Sequence, residues 1–447
     1  MFRRRILRDR RGNASIIFAL MTVPFILVAG GGVDMMAQER ERARAQAALD
    51  AGIIAAAGLK QTLPAATIVP QYFAAAGVTG YSIQVTDDHK LNSRVVTATA
   101  TKEVPTAFLR IFKLNTLRVA VTGRAEEAVK NMELSLVLDL SGSMRLEGRI
   151  DAMKPAAKSF IDKVLTTDTK DFTSVNLIPF AGQTNVGATM FNSLVGSSYA
   201  KKRHDLSYNF DYRDTTYADS NGNINIAIPD FSTIDQVQYF GTQYPVTGYE
   251  YAQNPDDGTS IVYLSNDATM LKNRIDSLKM YDGTGTQIAM KWAYHLLDGD
   301  FKPKLKNARA SDPSLYPNAF TDRPAAFDEP TTIKFIVLMT DGAVYPQSRP
   351  TDKTTPTFVD KKPATGAIQT EAAAFKLLSE VCTGAKAKGV TIFTIGFGTE
   401  VAKTATIQNA LLNCASSPTK YYLASTSDIS KVFDDIARTI SPLRLTN

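Results

Sequence analysis

The chain has little of what most catalytic and metal-bound proteins carry. Its 447 residues include two cysteines, three histidines and one tryptophan. His89, His204 and His295 lie far apart and no CxxC pair occurs, which disfavours a zinc site of the usual His/Cys type. No GxSxG, HExxH or Walker loop is present, and no GxGxxG joins a strand to a helix, so the sequence displays no catalytic engine. Positive charge is scarce away from one end. The formal charge is +6, but "MFRRRILRDRR" holds six arginines against one aspartate and so accounts for five of those six charges. A nucleic-acid surface needs Lys and Arg clustered on a folded face, and no such partner is expected here.

What is present begins with a run of 22 uncharged residues, "GNASIIFALMTVPFILVAGGGV", Gly12 to Val33. About 20 apolar residues suffice to cross a bilayer as a helix, whereas the apolar part of a signal peptide spans about 7 to 15. The run therefore reads as a transmembrane anchor, with a cleaved signal peptide as the rival. Residues 1–11 form a basic lead that the positive-inside rule keeps in the cytoplasm, while the far flank mixes Asp34, Glu39 and Glu41 with Arg40, Arg42 and Arg44. The expectation is a single pass of a bacterial inner membrane, N-terminus cytoplasmic, with the bulk of the chain periplasmic or surface-facing. In such an oxidising space Cys382 and Cys414 can form one disulfide; two buried free thiols are the alternative.

Residues 34–129 read as an Ala-rich helix continuing to about Leu59, followed by a small sheet. Period-two alternation in "YSIQVTDD", "RVVTATAT" and "LRVAVTGRA" places that sheet between Tyr81 and Glu126, packed on the helix. Residues 130–447 change pattern to alternating strands and helices. "ELSLVLD", "TSVNLIPF", "TIKFIVLMTD", "VTIFTIGFG" and "YYLA" are short apolar runs. Helical stretches separate them: "RIDAMKPAAKSFIDKVL", "TQIAMKWAYHLL", "AFKLLSEVCTGAKAK" and "ISKVFDDIARTI". Continuous apolarity is what a sheet covered on both faces requires, so the fold class is α/β, a doubly wound, mostly parallel sheet. Ligands of such sheets sit beyond the carboxyl ends of the strands.

Two of the strands end on aspartate, Asp139 and Asp341. Side by side, two buried carboxylates are costly unless one is protonated or a cation lies between them. Ser141 and Ser143 follow Asp139 at alternate positions around Gly142, and Thr286 opens a helix after a Gly-rich loop. Hydroxyl and carboxylate oxygens are the ligands of a hard cation such as Mg2+, or Mn2+, which readily keeps an open position. A carboxylate from a protein partner can take that position.

"DLSGSM", "GTGTQ" and "LMTDG" resemble, in this order, the metal-ion-dependent adhesion site of von Willebrand factor type A domains. The resemblance implies Asp139, Ser141, Ser143, Thr286 and Asp341 as direct or water-mediated ligands of Mg2+. The Arg-rich lead, the run "RRGNASIIFALMTVPFILVAGGGVD" and the Ala-rich helix behind it resemble the start of TadG-like proteins of Flp (tight adherence) pilus assembly, and "IARTISPLRLTN" is similar to their termini. That family implies pilus-assembly components as partners. A type IV prepilin would carry Glu five residues after its cleavage glycine; after Gly12 that position is Ile17, which argues against polymerisation as a pilin.

Residues from about 185 to 265 exceed what an ordinary type A domain needs, and nine of the 17 tyrosines fall between Tyr199 and Tyr263. Tyrosine suits both recognition and the pinning of a long insertion to its domain. "DSNGN", Asp219 to Asn223, imitates a calcium loop but has Ile224 where glycine belongs, and reads as a turn. His295 reads as a packed helix residue. A Pro-, Thr- and Lys-rich stretch after Asp341 reads as an exposed loop beside the site. The expected function is metal-dependent binding of a protein in pilus assembly or adhesion, without catalysis. The rivals are an envelope hydrolase using Asp139 and Asp341, and a scaffold that binds through the Tyr-rich insertion.

Overall fold

A computed structural model describes residues 13–89, 93–205, 207–212, 227–237, 239–240, 257–281, 283–342, 347–348, 357–358 and 367–440. The arginine lead, "DSNGN", most of the loop after Asp341 and the last seven residues lie outside them. The chain divides into two compact units, one ending at Val129 and one starting at Lys130.

In the first unit, helix α1 (Asn13–Ala57) runs for 45 residues through the uncharged stretch and the Ala-rich segment. Among the described residues it is the one helix long and apolar enough to cross a membrane. Helix α2 (Ala65–Ala75) and strands β1 (Ser82–His89), β2 (Ser93–Pro105) and β3 (Thr116–Ala128) complete the unit, the strands forming an antiparallel sheet in sequence order. Every second residue of β2 faces inward, so Val96, Ala98 and Ala100 meet Leu49, Ile53 and Ala56 of α1 in one core. Small residues on both elements let helix and sheet approach closely. The inward Arg94 is buried and satisfied: it pairs with Asp87 at 2.8 Å and donates to the carbonyls of Gly58, Gln61 and Leu63 just past the end of α1.

The second unit is built on six strands: β4 (Asn131–Asp139), β5 (Thr173–Phe180), β6 (Val262–Ser265), β7 (Thr332–Thr340), β8 (Thr391–Phe397) and β9 (Tyr421–Ala424). Their order across the sheet is β9-β8-β7-β4-β5-β6. All neighbours are parallel except β5 and β6, which are antiparallel, so the sheet is mostly and not wholly parallel. The strand β6 had no counterpart among the apolar runs read from the sequence, because only four residues of it are paired and it lies behind the insertion. Helices α3 (Arg149–Val164), α5 (Ala268–Ser277) and α11 (Ile429–Ile440) pack with Leu136, Leu177 and Val337 on one face. Helices α4 (Ala188–Val195), α6 (Thr286–His295), α7 (Lys302–Ser311), α8 (Glu371–Ala387) and α10 (Ala405–Cys414) pack with Val137, Ile178 and Ile336 on the other. The short helix α9 (Thr399–Lys403) follows β8. Apolar side chains are therefore needed on both faces of each central strand, which erases the period-two signal.

Cys382 of α8 and Cys414 of α10 form a disulfide inside the second of these cores. Several side chains of the described part of the insertion, among them Phe191, Phe210, Tyr212 and Phe231, belong to that core as well. Tyr199 and Tyr263 are tied to the carbonyls of Ile234 and Val186, each at 2.6 Å, and Phe231 stacks on Trp292 at 5.4 Å.

Candidate metal centre

Asp139 is the last residue of β4 and Asp341 the first after β7. These strands are parallel neighbours in a register that sets Leu138 opposite Met339, so both carboxylates leave the same edge of the sheet. Both are buried, at 0% and 1% exposure. The Asp139 carboxylate accepts from the backbone N–H of Ser141 at 2.7 Å on one oxygen and from the Thr340 hydroxyl at 2.6 Å on the other. The hydroxyls of Ser141 and Ser143 lie 3.1 Å apart, and the Ser141 hydroxyl reaches Asp341 Oδ1 at 3.5 Å. Four of the five residues singled out by sequence thus share one hydrogen-bonded cluster.

Thr286 shares no hydrogen bond with that cluster. It is the first residue of α6, is 1% exposed, and its hydroxyl has no hydrogen-bond partner among the described residues. The loop before it is held beside the end of β4, where Tyr281 N–H donates to the Leu140 carbonyl at 2.9 Å. Gly285 N–H donates to the Ala181 carbonyl at 2.6 Å, and a Cβ on Gly285 would stand 2.6 Å from the Gly182 carbonyl oxygen. Only glycine permits that approach of two backbones. The hydroxyl of Thr284, in the same loop, is also buried without a partner among the described residues.

The electrostatics follow from burial. Desolvation, and then the charge of Asp341, push the Asp139 carboxyl up to about 7. Burial also raises Asp341, opposed by the Ser143 hydroxyl and by Arg149. Sequence reasoning missed that arginine. Arg149, the first residue of α3 and 1% exposed, donates from Nη1 to Asp341 Oδ2 at 3.1 Å and pairs through Nη2 with Glu147 at 3.2 Å. Glu147 in turn accepts from the Thr399 hydroxyl. The guanidinium thus neutralises one of the two carboxylates from the side, leaving Asp341 Oδ1 toward the serines. Thr340 was missed too, although it adjoins Asp341 in "LMTDG".

The donor set fits a hard divalent cation: two carboxylates, two serine hydroxyls within reach of them, and the Thr286 hydroxyl, unpartnered among the described residues, after a loop tied to the end of β4. Among the described residues no group of three or more His, Cys, Asp or Glu side chains gathers, so a site rich in charged ligands is absent there. His295 is fully buried, its ring lies 6.2 Å from and nearly parallel to that of Phe301, and burial holds its pKa well below the usual histidine range. It is a packed helix residue.

Several solved structures share a resemblance spread over much of the chain. The von Willebrand factor domain of the type V pili tip protein Mfa5 from Porphyromonas gingivalis is 14% identical, with 72% of this chain and 98% of that one covered and a TM-score of 0.37. The adhesive tip pilin GBS104 from Group B Streptococcus agalactiae is 14% identical, with 70% and 100% covered and a TM-score of 0.37. The pilus adhesin RrgA from Streptococcus pneumoniae is 13% identical, with 81% and 49% covered and a TM-score of 0.34. Likeness at these scores describes those proteins and carries no argument about this one. No curated protein matches the chain. Residues 12–59 match the family model described as Flp pilus-assembly TadE/G-like. In this segment, which holds the apolar run and most of α1, the chain is similar to TadE/G-like proteins of Flp pilus assembly.

Proposed function

We propose that the second unit is a von Willebrand factor type A domain that binds a protein partner of the pilus machinery through a divalent cation, Mg2+ or Mn2+. Asp139, Ser141, Ser143, Thr286 and Asp341 would hold the ion, directly or through water. When bound, the ion supplies an electrophilic position for a carboxylate of the partner. The observation that carries the reading is the buried Asp139–Asp341 pair on adjacent strand ends, facing serine hydroxyls, together with the buried Thr286 hydroxyl, which follows a loop tied to the end of β4 and has no hydrogen-bond partner among the described residues. A hydroxyl in that position costs free energy unless something else uses it.

The chain's own residues prepare the site. Ser141 N–H and Thr340 fix the orientation of the Asp139 carboxylate, and Arg149 fixes that of Asp341. Two carboxylates opposed by one arginine leave a net deficit of positive charge. Binding without catalysis is the reading because the hydrogen-bonded neighbours of the pair are hydroxyls, a backbone amide and a guanidinium, so the groups able to accept a proton are the two carboxylates that the ion would occupy. The membrane-anchored, exported placement in the inner membrane belongs to the same proposal.

Full-length protein titrated with Mn2+ and followed by electron paramagnetic resonance tests it. Ser141→Ala and Thr286→Ala should each weaken binding by about tenfold or more, in the range seen when a ligand's support is removed, with unfolding midpoints little changed. Envelope proteins retained on the chain with Mg2+ should be released by chelator. Mn2+ affinity unaltered in both variants would remove the ion from the mechanism.

A further inference from the structure

We propose that the loop joining β2 to β3, residues 106–115, is a second membrane contact, which enters the headgroup layer of the same bilayer that α1 crosses. The proposal rests on reading α1 as a membrane anchor. The uncharged run ends at Val33, and about 22 residues at 1.5 Å each give a helix of about 33 Å, close to the thickness of the hydrocarbon layer. Asp34, the first charge beyond it, therefore marks the far interface.

The loop is clamped at that level. One Asp34 oxygen accepts from Ala107 N–H at 2.9 Å, and the other accepts from Phe108 at 2.8 Å and Leu109 at 2.7 Å. The contact extends back into the uncharged run, since a Cβ on Gly30 would stand 2.4 Å from the Phe108 ring. The glycine at this point of α1 is what lets the loop lie on the helix. Beyond the clamp the chain turns through Lys113, whose φ of 65° is left-handed, and returns into β3.

The tip presents a surface that water does not favour. Ile111, Phe112 and Leu114 are 65%, 56% and 52% exposed, and Met35 and Met36 of α1 are 62% and 74% exposed. Arg110 and Lys113 are exposed among them. Apolar side chains interleaved with cations that can reach phosphate are the composition of a segment lying in a membrane interface. The occupant follows from position: the patch is continuous with a helix whose apolar surface already requires lipid, and its charge is opposite to that of lipid phosphates.

Full-length protein in vesicles of equal parts phosphatidylcholine and phosphatidylglycerol provides the test. Trp292, the sole tryptophan, is buried in the second unit. Phe112→Trp thus adds a reporter at the tip. The introduced indole should emit at shorter wavelength in vesicles than a water-exposed indole, and lipid brominated near the glycerol should quench more than half of its signal. Adding Ile111→Asp with Leu114→Asp should leave the chain floating with vesicles while that quenching falls by more than half, and Arg110→Glu with Lys113→Glu should lower it too. A chain that floats but whose added indole emits as in water and is unquenched overturns the proposal and spares the anchor. Short-wavelength emission without quenching means that protein covers the tip, a second copy included, and overturns it as well. A chain that fails to float overturns both.

Discussion

At the scale of the residue, the decisive feature is two carboxylates buried within one hydrogen-bonded cluster. Only part of it was legible. Alternate serines after a strand-ending aspartate point to a cluster of oxygens, and Asp139, Ser141, Ser143 and Asp341 do come together in one. Arg149 was not legible, because an arginine opening a helix carries no mark of a carboxylate 192 positions later. The consequence of burial is testable through pH. Asp139 is raised from 3.8 to about 7, so between these values the folded chain keeps a proton that the unfolded chain has released. The resulting stability is fully present below the unfolded value and is lost as pH rises through about 7. Asp341, Arg149 and Glu147 face the same cluster and stay in place in an Asp139→Asn variant, which has no charge to desolvate. In chelator, that variant should therefore gain on the parent between about pH 4 and about pH 7, by an amount on the order of a few kcal/mol. Urea unfolding of both proteins at the two ends of this window measures it. His295, whose lowered pKa works in the opposite direction, is common to both and cancels. Excess Mg2+ should flatten the parent's slope, and an unchanged gap across the window would contradict the assigned titration.

At the scale of the element, the central strands were legible and the insertion was not. β4, β5, β7 and β8 show as apolar runs because helices cover both faces, and this length and apolarity leave few other assignments. The rings of the insertion give no such signal: whether Phe210 stacks on Phe191 at 4.7 Å depends on a partner that periodicity does not name. The disulfide lies between these extremes, since composition restricted the pair while the bond depends on geometry. It joins α8 to α10, and α10 supports the site from behind: a Cβ on Gly342, next to Asp341, would stand 2.5 Å from the Ile407 side chain of that helix. Cys382→Ala with Cys414→Ala releases a loop of about 30 residues and should lower the unfolding free energy by about 3 to 4 kcal/mol on the chain-entropy account. A shifted urea midpoint with unchanged slope checks the magnitude. Faster amide exchange around Gly342 would show that the loss reaches the edge of the sheet that carries the carboxylates.

At the scale of the whole molecule, two unrelated features bear on the orientation proposed for the chain in the membrane. The first is charge: six arginines precede the uncharged run, whereas acidic and basic residues are mixed beyond it, and Lys/Arg bias near a helix end retains that end in the cytoplasm. The second is redox chemistry: a disulfide between Cys382 and Cys414 persists in an oxidising compartment and not among cytosolic thiols. The two features lie in different units of the chain, so neither presupposes the other. Together they predict that protease added to spheroplasts removes residues from Lys130 onward while a tag on the N-terminus survives, and that inverted vesicles give the reverse pattern. Replacing the six lead arginines by glutamate should remove the bias and yield both patterns in one preparation. In the wrongly oriented fraction the cysteines would face the reducing side, so thiol alkylation without prior reduction should label that fraction and leave the native orientation unlabelled. Labelling of the native orientation, or protease protection of the second unit in spheroplasts, would place the candidate metal centre on the cytoplasmic side, away from any exported pilus partner.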